Sequence, residues 1–134
     1  MNKIEHIGIA VSNLEESNRL FAKLLGTPHY KIEEVESEGV RTSFFEVGGV
    51  KIELLEATRP DSPIAKFIEK KGEGIHHLAF AVNDVQKSIA MQEENGFAMI
   101  NKEPKDGADN KSIAFLHPKT TNGVLVEMCQ EKPA

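Results

Sequence analysis

The chain has 134 residues, 16 Lys and Arg against 21 Asp and Glu, and a net charge of −5, enough for one cored domain and short of the usual two-domain length. Hydrophobic residues make up 40%, no apolar run approaches the roughly 18 residues of a membrane span, and no basic stripe tracks a phosphate backbone, which excludes membrane and nucleic-acid partners. The single cysteine, Cys129, and a start at Met1 to Glu5 without a basic-then-apolar leader predict a cytoplasmic protein without a disulfide framework.

In chain order, His6-Ile-Gly-Ile-Ala-Val11 reads as a strand, and Ser12 with Glu15 three later as a capping box that opens a helix from about Leu14 to Leu25. Leu14, Phe21, Leu24 and Leu25 form its expected apolar face, with Gly26 past its end. The run from Glu33 to Glu38 is expected to be a solvated face. Thr42 to Val47 and Val50 to Leu55 are strands joined at Gly48-Gly49, a hairpin dipeptide. Ser62 as N-cap, Pro63 at the first helical position and Gly72 beyond the end define a linking helix, residues 62–72.

The plan then repeats. His77-Leu-Ala-Phe-Ala-Val82 is a strand, Asn83 with Gln86 caps a helix from about Val85 to Glu94, and Val85, Ile89 and Ala90 form its inner face. Gly107 to Asn110 reads as a polar loop, and Ser112 to Leu116 and Gly123 to Cys129 are the closing strands. The histidines stand 71 residues apart, at 6 and 77, an internal repeat that fixes the architecture. The fold class is therefore α+β, with two tandem βαβββ modules, residues about 1–58 and 74–131, in a single domain over 1–134. Neither module is expected to bury enough surface alone, so the two share a curved mixed sheet.

Strand side chains alternate between faces. His6, Gly8 and Ala10 share one face, as do His77, Ala79 and Ala81, so each histidine looks over a depression among small residues. Glu53 and Glu127, 74 residues apart, have Ile52, Leu54, Val126 and Met128 as neighbours pointing the other way, which aims both carboxylates at the small-residue face. Inward carboxylates without a cation or base beside them carry a heavy desolvation cost. If the modules face one another about a pseudo-twofold axis, two His and two Glu enclose one divalent metal, with open positions for water or a substrate oxygen. His76 has the opposite parity and is expected to be structural. Cys129 shares parity with Glu127 and is expected to be a half-buried strand thiol rather than a residue bordering the site, and His29 and His117 lie in loops.

The doubled plan with His and Glu in each half resembles the vicinal oxygen chelate superfamily over essentially the whole chain. Within it, Lys51-Ile-Glu-Leu-Leu-Glu56, Ser62-Pro-Ile-Ala-Lys-Phe67, Gly74-Ile-His-His-Leu-Ala-Phe80 and Phe115-Leu-His-Pro-Lys119 leading to Gly123-Val-Leu-Val-Glu127 are similar to the methylmalonyl-CoA epimerase family. The resemblance implies metal ligands at His6, Glu53, His77 and Glu127, with cobalt, zinc, nickel, manganese and magnesium all compatible with that set. It also implies an acyl-CoA substrate, a homodimer, and inversion at the carbon between a thioester and a carboxylate.

Glu127 is the expected acid/base residue on one side. Some relatives carry a separate glutamate where this chain has Thr42, and some carry Gln where it has Glu53. Threonine is a poor base, which leaves the opposite side to Glu53 or to a water or a neighbouring side chain, and Glu53 is favoured. Lys102, Lys105, Lys111 and Lys119 are candidate contacts for the CoA anions, weighed against a role as solvated surface lysines. A lactoylglutathione lyase is disfavoured by the Ser62 and Phe115 stretches. An extradiol dioxygenase would need a more open ligand set, and a non-catalytic binding module would have no use for two inward carboxylates.

Overall fold

The computed structural model describes residues 1–133. The chain divides into two units, His6–His76 and Met1–Glu5 together with His77–Ala134. The first contains β1 (Lys3–Ala10) from His6 onward, α1 (Leu14–Leu25), β2 (Lys31–Val35), β3 (Val40–Val47), β4 (Val50–Ala57) and α2 (Pro63–Lys71). Its strands lie in the order β2-β3-β4-β1, antiparallel except for the parallel pair of β4 with β1. The second unit has β5 (Gly74–Ala81) from His77 onward, α3 (Val85–Glu94), β6 (Lys105–Gly107), β7 (Lys111–Leu116) and β8 (Val126–Glu131). Its order is β5-β8-β7-β6, with β5 and β8 parallel and the other pairs antiparallel. Each unit is a βαβββ module, and the chain is α+β.

Both module helices begin as the sequence predicts, but their caps sit one residue later. Asn13 accepts from the Glu16 amide and Asp84 from the Lys87 amide. Ser12 and Asn83 therefore precede the caps rather than form them. A side-chain acceptor at the cap satisfies one of the orphan N–H groups of the first turn, and here the residue nearer the helix does so. Gly26 closes α1 in the left-handed region at φ 75°, a conformation that favours glycine.

The core is built from the bulky strand faces. Val11, Leu14, Phe45 and Leu54 pack with Phe21, Ala22, Leu25, Ile9 and Ile52 beneath α1. In the second unit Val82, Val85, Ile89, Met99, Ala114, Leu116 and Met128 do the same beneath α3. Each such side chain contributes about 1.5–3 kcal/mol by leaving water. Two face assignments change. Leu24 is 70% exposed and Asn18 takes a buried place on α1, while Ala90 is exposed on α3.

Two strands and one boundary depart from the sequence reading. β2, which overlaps the start of the acidic run, is an edge strand with charged side chains on both faces, so it lacks the alternation by which half-buried strands are recognised. β6 is only three residues long, and Asp109 and Asn110 at φ 60° and 56° turn the chain back into β7. β8 begins at Val126 rather than Gly123, because Asn122 and Gly123 occupy the left-handed region at φ 56° and 84°. Among the described residues no helix is long and apolar enough to cross a membrane.

Candidate functional site

The sheet faces turned away from α1 and α3 carry the polar groups. In the first unit Gly8 on β1 stands beside Glu53 on the parallel strand β4, and His6, two residues back on the same face, brings Nδ1 to 3.2 Å from Glu53 Oε2. In the second unit Ala79 on β5 stands beside Glu127 on β8, and His77 brings Nε2 to 3.2 Å from Glu127 Oε1. The register is the same in both: a histidine on one strand, a glutamate beside the residue two further on, and a glycine or alanine at that residue. Small side chains there leave the carboxylate room to lie against the imidazole.

All four residues are buried, between 4% and 6% exposed. A buried carboxylate needs a cation or strong donors around it. Each pair also has the spacing of two ligands of one ion. With metal–ligand bonds of about 2.1 Å, adjacent ligand atoms lie about 3.0 Å apart in an octahedral shell and about 3.4 Å in a tetrahedral one. The donor set of imidazole nitrogen with carboxylate oxygen suits a borderline divalent cation. Phe115, paired with Glu127 across β7 and β8, sets its ring edge-on to His77 at 5.7 Å between centroids and fixes that imidazole's orientation.

The remaining predicted residues separate cleanly. Thr42 is fully buried on the face of Glu53, opposite Leu55, while Phe44 is opposite Glu53 itself. It is too tightly packed, as well as too weakly basic, to replace a glutamate. Glu33 lies opposite Thr42 on that face and pairs with Lys31 at 3.7 Å with its side chain 35% exposed, while Glu34 and Glu36 are exposed, as the solvated-face reading expects. His76 packs edge-on against Phe67 at 5.0 Å, a structural position. His29 lies 6.0 Å from the Phe45 ring, which packs under α1. His117 is exposed and accepts from the Lys119 amide through Nδ1. Cys129 is buried, its Sγ 3.5 Å from the Phe80 carbonyl oxygen.

The four candidate lysines divide into two kinds. Lys102 and Lys119 are exposed, Lys102 bound to Glu93 at 2.8 Å. Lys105 and Lys111 lie instead on the face of His77 and Glu127. Lys111 is in phase with Ile113 and Phe115 on β7, and Lys105 is opposite Ile113. Parity with Phe115, the partner of Glu127 in the ladder, is the sequence signal for this placement. It becomes readable only once the β7–β8 register is known.

A profile of the Glyoxalase/Bleomycin resistance protein/Dioxygenase superfamily matches residues 5–115. Among solved structures, the hypothetical protein BH1468 from Bacillus halodurans is 45% identical, covers 99% of this chain and 96% of its own, and superposes with a TM-score of 0.96. A variant of the Streptomyces coelicolor methylmalonyl-CoA epimerase, in complex with 2-nitronate-propionyl-CoA, is 34% identical, with 100% and 97% covered and a TM-score of 0.94. The mitochondrial methylmalonyl-CoA epimerase of Dictyostelium discoideum is 36% identical over 129 residues, which are 96% of this chain and 78% of that protein. By sequence over nearly its full length and by fold, the chain belongs to the methylmalonyl-CoA epimerase family of the glyoxalase, bleomycin-resistance and dioxygenase superfamily.

Proposed function

We propose that the chain is a metal-dependent epimerase that interconverts the (R) and (S) epimers of methylmalonyl-CoA, with His6, Glu53, His77 and Glu127 holding one divalent ion and Glu127 and Glu53 acting as the acid/base pair. The observation that carries this reading is the duplicated His/Glu pair, in the same register on adjacent parallel strands of both units, in a chain of this family. A bound divalent ion would polarise substrate oxygens and stabilise the charge that develops when the carbon beside the thioester loses its proton.

The protein's own groups would do the rest. Glu127 accepts the proton from the substrate carbon, and its position is held by the His77 imidazole and the Phe115 ring. Glu53, its counterpart in the first unit, delivers a proton to the opposite side of the same carbon, and His6 holds that carboxylate in place. Burial keeps bulk water away from both carboxylates, so the proton that returns comes from a positioned acid rather than from solvent. The reading also makes the enzyme a cytoplasmic homodimer, which light scattering would check for its mass.

The test is α-proton exchange in heavy water with methylmalonyl-CoA, on protein whose metal content is measured by elemental analysis. Incorporation of deuterium together with inversion supports the assignment. Turnover of a glutathione hemithioacetal without exchange into methylmalonyl-CoA would replace it with a lyase.

A further inference from the structure

On the face of the first unit's sheet opposite the one that carries Glu53, α1 and the β2–β3 hairpin border a cavity of about 360 Å³, within the size range of small-molecule sites. Arg41 on β3 and Ile32 on β2 line it, alternating along their strands with Thr42 and Glu33, which share the face of Glu53. Leu14, Glu15, Asn18 and Arg19 line it from α1. Asn18 is 8% exposed, and among the described residues its Oδ1 has no hydrogen-bond partner. Ser43, opposite Ile32 in the ladder and so on the same sheet face, buries a hydroxyl that also has none. A buried polar atom left unpaired costs stability, and two of them lie on this side of the sheet.

The charges around the cavity are of both signs. Arg19 meets Glu15 only at 3.9 Å, with side chains 66% and 88% exposed. Arg41 gives Nη1 to Glu56 at 3.4 Å and has Glu34 opposite it across β2 and β3. A guanidinium has five donors in a fixed fork that matches a carboxylate, so both arginines keep donors for a ligand. Glu15 and the Asn18 oxygen are acceptors, and Leu14 and Ile32 supply an apolar wall. Donors for a carboxylate, acceptors for an ammonium and an apolar surface in one small cavity are the recognition elements of an α-amino acid. A plain anion would meet the nearby carboxylates, and a plain amine the two guanidinium groups.

We infer that this cavity binds a free α-amino acid with an apolar side chain, its carboxylate held by Arg19 and Arg41 and its ammonium by the Asn18 Oδ1 and the Glu15 carboxylate. The site lies across the sheet from Glu53 and does not depend on the reaction proposed above. Glu56, on the strand of Glu53, accepts from the Leu14 amide at 2.9 Å through Oε2 and from Arg41 through Oε1. It thereby ties α1 to β3 and holds two walls of the cavity in place before any ligand arrives, which lowers the ordering cost of binding.

The test is calorimetric titration of the unsubstituted protein with L-leucine, with 4-methylpentanoate, which lacks the ammonium, and with 3-methylbutylamine, which lacks the carboxylate. Leucine is expected to saturate below about 10 mM, with each analogue about tenfold weaker or more. Asn18→Leu replaces the unpaired amide with an apolar group and should bind leucine about tenfold more weakly or worse, while Asn18→Asp, which keeps an acceptor, should stay within about threefold. Arg41→Met should weaken leucine and 4-methylpentanoate and spare 3-methylbutylamine. Failure of leucine to saturate would leave the Asn18 oxygen to water and overturn the inference. Equal affinity for leucine and 4-methylpentanoate, or undiminished binding of leucine by Asn18→Leu, would overturn it too. If Asn18→Leu fails to fold, the three ligands on the unsubstituted protein decide. Malonyl-CoA should not displace leucine; competition between them would place the amino acid on the face of Glu53 and remove it from this cavity.

Discussion

Glu53→Gln separates the two jobs given to this residue. Glu53 is 4% exposed, lies beside Gly8 and opposite Phe44, and touches His6 at 3.2 Å. Glutamine has the same shape and retains an oxygen to accept from the imidazole, so the packing around it survives and the stability change should be about 1 kcal/mol or less. What goes is one negative charge and the ability to carry the proton. General acid/base groups contribute about 10²- to 10⁴-fold, some 3–5 kcal/mol of barrier, and epimerisation at saturating metal should fall by that factor.

Exchange gives a sharper readout than turnover. Removing a proton needs one base, whereas inversion needs both groups. Glu53→Gln should therefore still exchange the α-proton of one epimer in heavy water at near the unsubstituted rate and lose exchange of the other. Glu127→Gln should show the converse preference. Glu33→Gln, which alters the carboxylate opposite Thr42, should change neither. Full epimerisation by Glu53→Gln with metal bound would refute the two-carboxylate assignment, and loss of activity in Glu33→Gln alone would move the second role to that residue.

Three further outcomes follow from the same geometry. Stripping metal with a chelator and restoring it at about 1,000 times its Kd should stabilise the fold by about 4 kcal/mol; at about 3–4 °C per kcal/mol for a chain of this length, calorimetry should read a rise of about 12–16 °C that is lost in His77→Ala. Asn13→Ala removes the acceptor for the Glu16 amide and should cost about 1 kcal/mol, whereas Ser12→Ala, one residue earlier, should cost clearly less in urea unfolding. Asn18 is buried on α1 with its Oδ1 unpartnered among the described residues. Asn18→Leu should therefore raise the melting temperature by several degrees, and a drop would show that the oxygen is satisfied by solvent.

The sequence by itself determined the doubled architecture and the placing of a histidine and a glutamate on one strand face in each half. Periodicity of two placed Gly8 with His6 and Ala79 with His77, and the absence of a second large apolar face left the carboxylates only one direction to point. Helix limits were legible for the same reason, since Gly26, Pro63 and Gly72 act through their own backbone preferences. What only tertiary structure decided were the features that depend on a neighbouring strand. The choice of Asn13 over Ser12 as cap and the edge strand β2 carry no local signature. The turning of Leu24 to solvent and of Asn18 inward depends on how α1 rolls against β3 and β4. The burial of Lys111 follows from the β7–β8 register, a pairing between residues distant along the chain. Local chemistry sets which conformations a segment prefers, whereas the solvent exposure of a charged side chain is set by whichever segment covers it.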